Sequence, residues 1–97
     1  MSTQPATGYY DSLLLAPAFS CDPVGKRQAE RWKRLVDDIH KCTTEQDLRE
    51  ARGKAEGYII GLIECGHLRP DGERDYAILS SIHRRQVFLR TLLTTLN

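Results

Sequence analysis

Nowhere in these 97 residues is there an apolar run approaching the roughly 18 residues that a membrane-spanning helix needs. Cysteine is scarce and oddly numbered. Cys21, Cys42 and Cys65 form no close pair, whereas a small secreted domain shows an even disulfide framework, so reduced thiols in a cytoplasmic setting are expected. Charge of one sign is not in excess either: 14 Lys and Arg stand against 13 Asp and Glu, which gives no global polyelectrolyte signal. The stretch Leu13-Leu14-Leu15-Ala16-Pro17-Ala18-Phe19-Ser20-Cys21 has the outline of a lipoprotein signal. Residues 1–12, however, carry no Lys or Arg, and Pro17 interrupts the apolar run, so export is not expected. Catalytic motifs are missing too. There is no Gly-rich phosphate loop after a strand, no Ser or Cys in a nucleophile motif and no His-Glu metalloprotease pair, and a non-enzymatic protein without a cofactor is expected.

What is present reads as one all-α domain. Hydrophobic residues make up 40% and charged residues 28%, which suits a folded chain and is too apolar for a wholly disordered one. Residues 1–8 are small and polar and read as a disordered tail. Residues 9–21 are different, because Tyr9, Tyr10, Leu13, Leu14, Leu15 and Phe19 are too apolar to remain in water. Pro17 and Pro23 argue against one continuous helix there. Residues 1–21 therefore form a tail and an apolar docking arm ahead of a three-helix domain spanning 22–97, and the arm packs either across the chain's own helices or on another subunit or a partner.

Each of the three helices has start and stop signals. Asp22 and Pro23 fit the cap and first position of a helix over about 23–41, on which Ala29, Trp32, Leu35, Val36 and Ile39 share one stripe. Thr43 with Gln46 has the spacing of a capping box for the second helix. Leu48, Ala51, Ala55, Tyr58, Ile59 and Leu62 follow on its apolar stripe, and Gly66 fits its end. Asp71 caps a third helix whose Leu79, Ile82, Gln86, Leu89, Leu93 and Leu96 form a heptad-like seam. At 1.5 Å per residue the second and third helices are about 33 and 37 Å long. The expected architecture is an antiparallel three-helix arrangement dominated by this long hairpin.

Two patterns invite a chemical reading. His40-x-Cys42 and Cys65-x-His67 together hold the ligand types of a structural zinc site, but the second helix separates them by about 30 Å, and no metal is expected. Gly53, Gly57 and Gly61 recur every four residues inside the second helix, where each glycine costs roughly 1 kcal/mol relative to alanine. On a helical wheel they lie opposite the core stripe, beside Ile60. Such a face admits another backbone at close range. Either the chain's own first helix or arm lies there, or a second copy or a partner does.

Charge is also unevenly placed. Residues 26–36 carry Lys26, Arg27, Arg31, Lys33 and Arg34 against Glu30 alone, and residues 37–75 compensate with ten acids against six bases. Lys26, Arg27, Arg31 and Arg34 are the candidate phosphate-binding set. A solvated helix face, interrupted by Glu30, Asp37 and Asp38, is the simpler account of them, and no helix-turn-helix spacing accompanies them.

In size and texture this short, Arg-rich, three-helix chain without enzymatic motifs resembles the small helical accessory proteins encoded by bacteriophages and prophages. The resemblance implies a protein that binds and blocks or redirects a host component. The expected function is thus a protein-binding inhibitor or adaptor that self-associates, with Tyr9, Tyr10, Phe19, Gly53, Gly57, Ile60 and Gly61 as contacts. Two alternatives belong to other classes. A nucleic-acid-binding regulator uses the basic stripe of the first helix with Arg84 and Arg85. An oligomeric sponge for a signalling nucleotide pairs an arm tyrosine with Lys26 or Arg27.

Overall fold

The computed structural model describes residues 5–96, with side chains from 8 to 92. Within that span the chain is all-α: α1 (Pro5–Leu15), α2 (Pro23–Lys41), α3 (Glu45–Glu64) and α4 (Gly72–Leu96). The expected arm is itself a helix, so four helices replace the expected three. Nothing between Pro5 and Leu15 breaks a helix, and Pro5 fits the first turn, where its missing N–H is not needed. Residues 5–8, expected to belong to a tail, open α1, while residues 1–4 lie outside the described part.

Side-chain caps set the other boundaries. Asp22, in extended conformation, accepts the Gly25 N–H at 2.8 Å and the Ser20 hydroxyl at 2.7 Å, and Pro23 follows as the first residue of α2. α3 begins one residue later than the Thr43–Gln46 spacing implies. Thr44 is the cap, and its hydroxyl oxygen accepts the Asp47 N–H at 3.0 Å. Glu45 and Asp47 then place negative charge in the first turn, where the helix dipole favours it. Gly66 ends α3 with φ +79°, a left-handed conformation that lets the His67 N–H reach back to the Leu62 carbonyl at 2.8 Å. Asp71 accepts the Glu73 and Arg74 N–H groups at the start of α4.

The helices enclose one core in which each packs on two others: α1 on α2 and α4, α2 on α3, and α3 on α4. Leu13, Trp32, Val36, Ile39, Ala55 and Ile82 are its most completely enclosed apolar side chains. The expected α3–α4 hairpin is present, but these two helices have the least extensive contact of the four pairs, whereas α1 and α4 have the most. The seam of α4 is rotated accordingly. Ile78, Ser81, Ile82 and Leu89 are buried, while Leu79, expected inside, is 43% exposed. α1 docks on α4 and draws its buried face round toward Ser81 and Arg85, away from the line through Leu79 and Gln86. Leu93 and Leu96 of the expected seam have side chains outside the described part.

Trp32 couples the arm to the domain. It is 1% exposed, and its indole N–H donates at 3.0 Å to the Leu13 carbonyl near the end of α1, which the Ala16 N–H also reaches at 3.4 Å, so one residue fills the core and satisfies its own buried donor. The next contact is tighter. A Cβ at Gly25 would lie 2.0 Å from the Ser20 carbonyl oxygen, so the linker from α1 crosses α2 where only glycine leaves room. We expect Trp32→Ala to cost about 3–5 kcal/mol in chemical denaturation. Trp32→Phe should cost less and remove the Leu13 bond alone; a melting temperature unchanged by Trp32→Ala would show that the arm is not held this way.

Candidate interaction surfaces

The arm tyrosines, expected to meet a partner, are engaged within the chain. Tyr9 is buried, and its hydroxyl shares a hydrogen bond with His40 Nδ1; burial pushes its pKa up. Tyr10, half-buried, donates to Asp37 Oδ1 at 2.5 Å, and Lys33 Nζ meets the other carboxylate oxygen at 3.0 Å. The hydrogen bond from Tyr10 and the Lys33 ammonium hold the Asp37 carboxyl below its ordinary range, and the same bond raises Tyr10. Phe19 is half-buried against the core. The arm therefore docks in cis, and both tyrosines sit on the C-terminal half of α2, about three to four turns from Lys26 and Arg27 along that helix.

Arg85, assigned by the nucleic-acid alternative to phosphate contact, has a structural task. Its Nη2 donates to the His40 and Cys42 carbonyls at 3.0 and 3.1 Å, closing the end of α2, and its guanidinium lies over the Tyr9 and Phe88 rings. Its neighbour Arg84 is exposed. Arg74 is buried, with Nη1 donating to the Arg69 carbonyl at 2.8 Å, and so pins the α3–α4 turn to the first turn of α4. In sequence both arginines look like exposed charges; only the α1–α4 packing and the tight turn bring carbonyls within their reach.

The basic stripe is on the outside. Lys26, Arg27, Arg31 and Arg34 are exposed and form no ion pair among the described residues. Lys26 also borders a shallow groove of about 510 Å³ between the arm and α2, floored by Phe19, Ala29 and Trp32.

The glycine face of α3 is open. A Cβ built at Gly53, Gly57 or Gly61 meets nothing within 4 Å, so neither the arm nor α2 occupies it. Ile60 on the same side is 55% exposed. Beside it the loose α3–α4 contact leaves a groove of about 310 Å³, lined by Ile59, Ile60, Ile63, Ile78 and Leu79 with Glu56 and Asp75 at its rim. The sequence pointed to Gly53, Gly57, Ile60 and Gly61; the α4 half of the groove was missed because the phase of Leu79 was misassigned.

The two His/Cys pairs lie at opposite ends of α3, as expected, and no group of three or more His, Cys, Asp or Glu side chains comes together among the described residues. His67 hydrogen-bonds Gln28 Nε2 at 3.1 Å. The three cysteines are free thiols, of which Cys42 is buried and Cys21 and Cys65 are exposed. Cys42 Sγ donates to the Asp38 carbonyl at 3.1 Å, and burial pushes its pKa up. No helix among the described residues is long and apolar enough to cross a membrane. In comparison with known proteins the chain matches no family model, no curated protein and no solved structure.

Thiol labelling checks this arrangement. Cys21 and Cys65 should react with maleimide in the folded protein and Cys42 only on unfolding; early labelling of Cys42 would mean that the α2 end opens. Acid gives a second check. Because Asp37 is lowered on folding, its contribution to stability is present above the ordinary carboxylate range and is lost as pH falls through the lowered value. Tyr10→Phe should reduce that loss in pH-dependent melting, and an unchanged acid profile would remove the Tyr10–Asp37 bond as its cause.

Proposed function

We propose that the chain is a non-enzymatic, protein-binding inhibitor or adaptor that docks a partner, a host-cell component, along the glycine face of α3 and into the α3–α4 groove. The observation that carries this reading is the apolar groove bordered by a helix face on which nothing rests. Three glycines in one helix lower its stability, and the chain's own core does not use the space they leave. An unfilled apolar surface next to such a face suits a helix that brings apolar side chains to Ile60, Ile63 and Leu79. Glu56 and Asp75 at the rim favour Lys or Arg on the flanks of that helix.

A second reading, nucleic-acid binding, draws on one observation: Lys26, Arg27, Arg31 and Arg34 of α2 are exposed and form no ion pair among the described residues. Acids at Glu30, Asp37 and Asp38 share that helix, and Arg85 is engaged by the His40 and Cys42 carbonyls, which leaves the groove as the better-supported site.

Gly57 separates an open face from an occupied one. With open space above it, Gly57→Ala should stabilise the isolated protein by about 0.4–1 kcal/mol. Gly57→Leu and Ile60→Glu should retain helical circular dichroism yet lose a partner that the parent captures from host extract and binds again when purified. Arg27→Glu should retain it. Loss of capture by Arg27→Glu and by added salt, with the groove variants unaffected, would transfer the function to the basic stripe.

A further inference from the structure

A second face is open besides the groove, on the side of α4 that points away from the core. Glu73, Tyr76, Ser80, His83, Val87 and Arg90 recur at intervals of three, four, three, four and three residues, which keeps all six on one side of a helix. Tyr76 is 73% and Val87 45% exposed, and Glu73, His83 and Arg90 are exposed as well. The helix dipole accounts for an acid at the first turn, but it gives no reason for a tyrosine and a valine on an outward line.

That line reads the same in both directions. Reversed about the midpoint between Ser81 and Ile82, it sets Glu73 against Arg90, Tyr76 against Val87, and Ser80 against His83. We propose that this face of α4 is a self-association surface, on which α4 of a second copy packs antiparallel across a two-fold axis. A two-fold interface must be self-complementary, and this face meets that condition in spacing, charge and polarity together. Each copy places its Glu73 carboxylate against the Arg90 guanidinium of the other at both ends of the seam. Arg90 Nε is bound to Glu45 within the chain, but Nη1 and Nη2 make no hydrogen bond among the described residues and are available. Between these ends the two Tyr76–Val87 contacts remove two exposed apolar side chains of α4 from water, and His83 meets the Ser80 hydroxyl. The seam spans about 26 Å of helix at 1.5 Å per residue. One helix pair of that length is at the small end of specific interfaces, so association in the micromolar range is expected.

Charge reversal tests the pairing. Light scattering and sedimentation of the full chain at tens of micromolar should show a dimer. Glu73→Arg sets arginine against Arg90 and Arg90→Glu sets glutamate against Glu73, and each variant alone should weaken the dimer by at least about tenfold. An equimolar mixture of the two should associate again, because every pair in the heterodimer is then of opposite sign, and the double variant should behave as the parent. If Arg90→Glu loses helical circular dichroism through its contact with Glu45, Val87→Glu replaces it. That exposed position tolerates a charge in the monomer, and a glutamate there should abolish assembly by meeting Tyr76. A monomeric parent overturns the proposal, as does a mixture that stays monomeric or a set of variants that all assemble like the parent. Partner capture through the groove is scored separately with Gly57→Leu, so the failure of one surface is not read as the failure of the other.

Discussion

The bond from the Trp32 indole N–H to the Leu13 carbonyl joins the two parts of the molecule that differ most in character: a short apolar helix with few polar groups, and the charged helix of the basic stripe. Tyr9 meets His40 and Tyr10 meets Asp37 further along the same pair of helices, so α1 is fixed at three points along α2. With α1 held there, its apolar side has to be covered, and α4 covers it. Arg85 then reaches across to the carbonyls that end α2 and lies on the Tyr9 ring. The position of α4 follows from α1, and the looseness of the α3–α4 contact follows from the position of α4.

This dependence explains which parts were legible in the sequence. α2 was readable to the residue because its signals are local: Asp22 and Pro23 at the start, and Trp32, Leu35, Val36 and Ile39 at helical spacing. The end of α3 was readable for the same reason, since Gly66 supplies a conformation that other residues rarely adopt. Local signals also misled. Thr43 and Thr44 offer the same hydroxyl, and the choice between them depends on where Glu45 and Asp47 best meet the helix start. The phase of α4 was legible only in part: Ile82 and Leu89 lie inside as read, but Ile78 and Leu79 are adjacent and similarly apolar, and only the docked α1 determines which of them is enclosed.

The surfaces followed the same division. The glycine repeat identified an unusual face of α3 from sequence alone, and the structure shows that face open. The need to cover the arm tyrosines was legible and their partner was not, because an apolar segment that must be covered gives no information on whether its cover is its own chain or another. Arg74 was overlooked and Arg85 assigned to phosphate, since the task of an arginine depends on carbonyls that the fold brings near, here those of Arg69, His40 and Cys42. Charge type was legible, and the use made of each charge was not.

The closure of α1 on α4 also bears on how the chain acquires its shape during synthesis. Of the four helices, the one that completes the cover of Tyr9 and Leu13 is the last in order, so the apolar arm is held on α2 but not fully covered until α3 and α4 have also been made. Helices α2 and α3 pair through near neighbours in sequence and form early, whereas the core is sealed by a long-range event that brings the earliest helix to the latest. During that interval Tyr9, Tyr10 and Leu13 present the kind of surface that holding chaperones recognise. A lesion in the second half of α4, at Arg85 or Leu89, would therefore act at a distance, by leaving the opposite end of the chain uncovered.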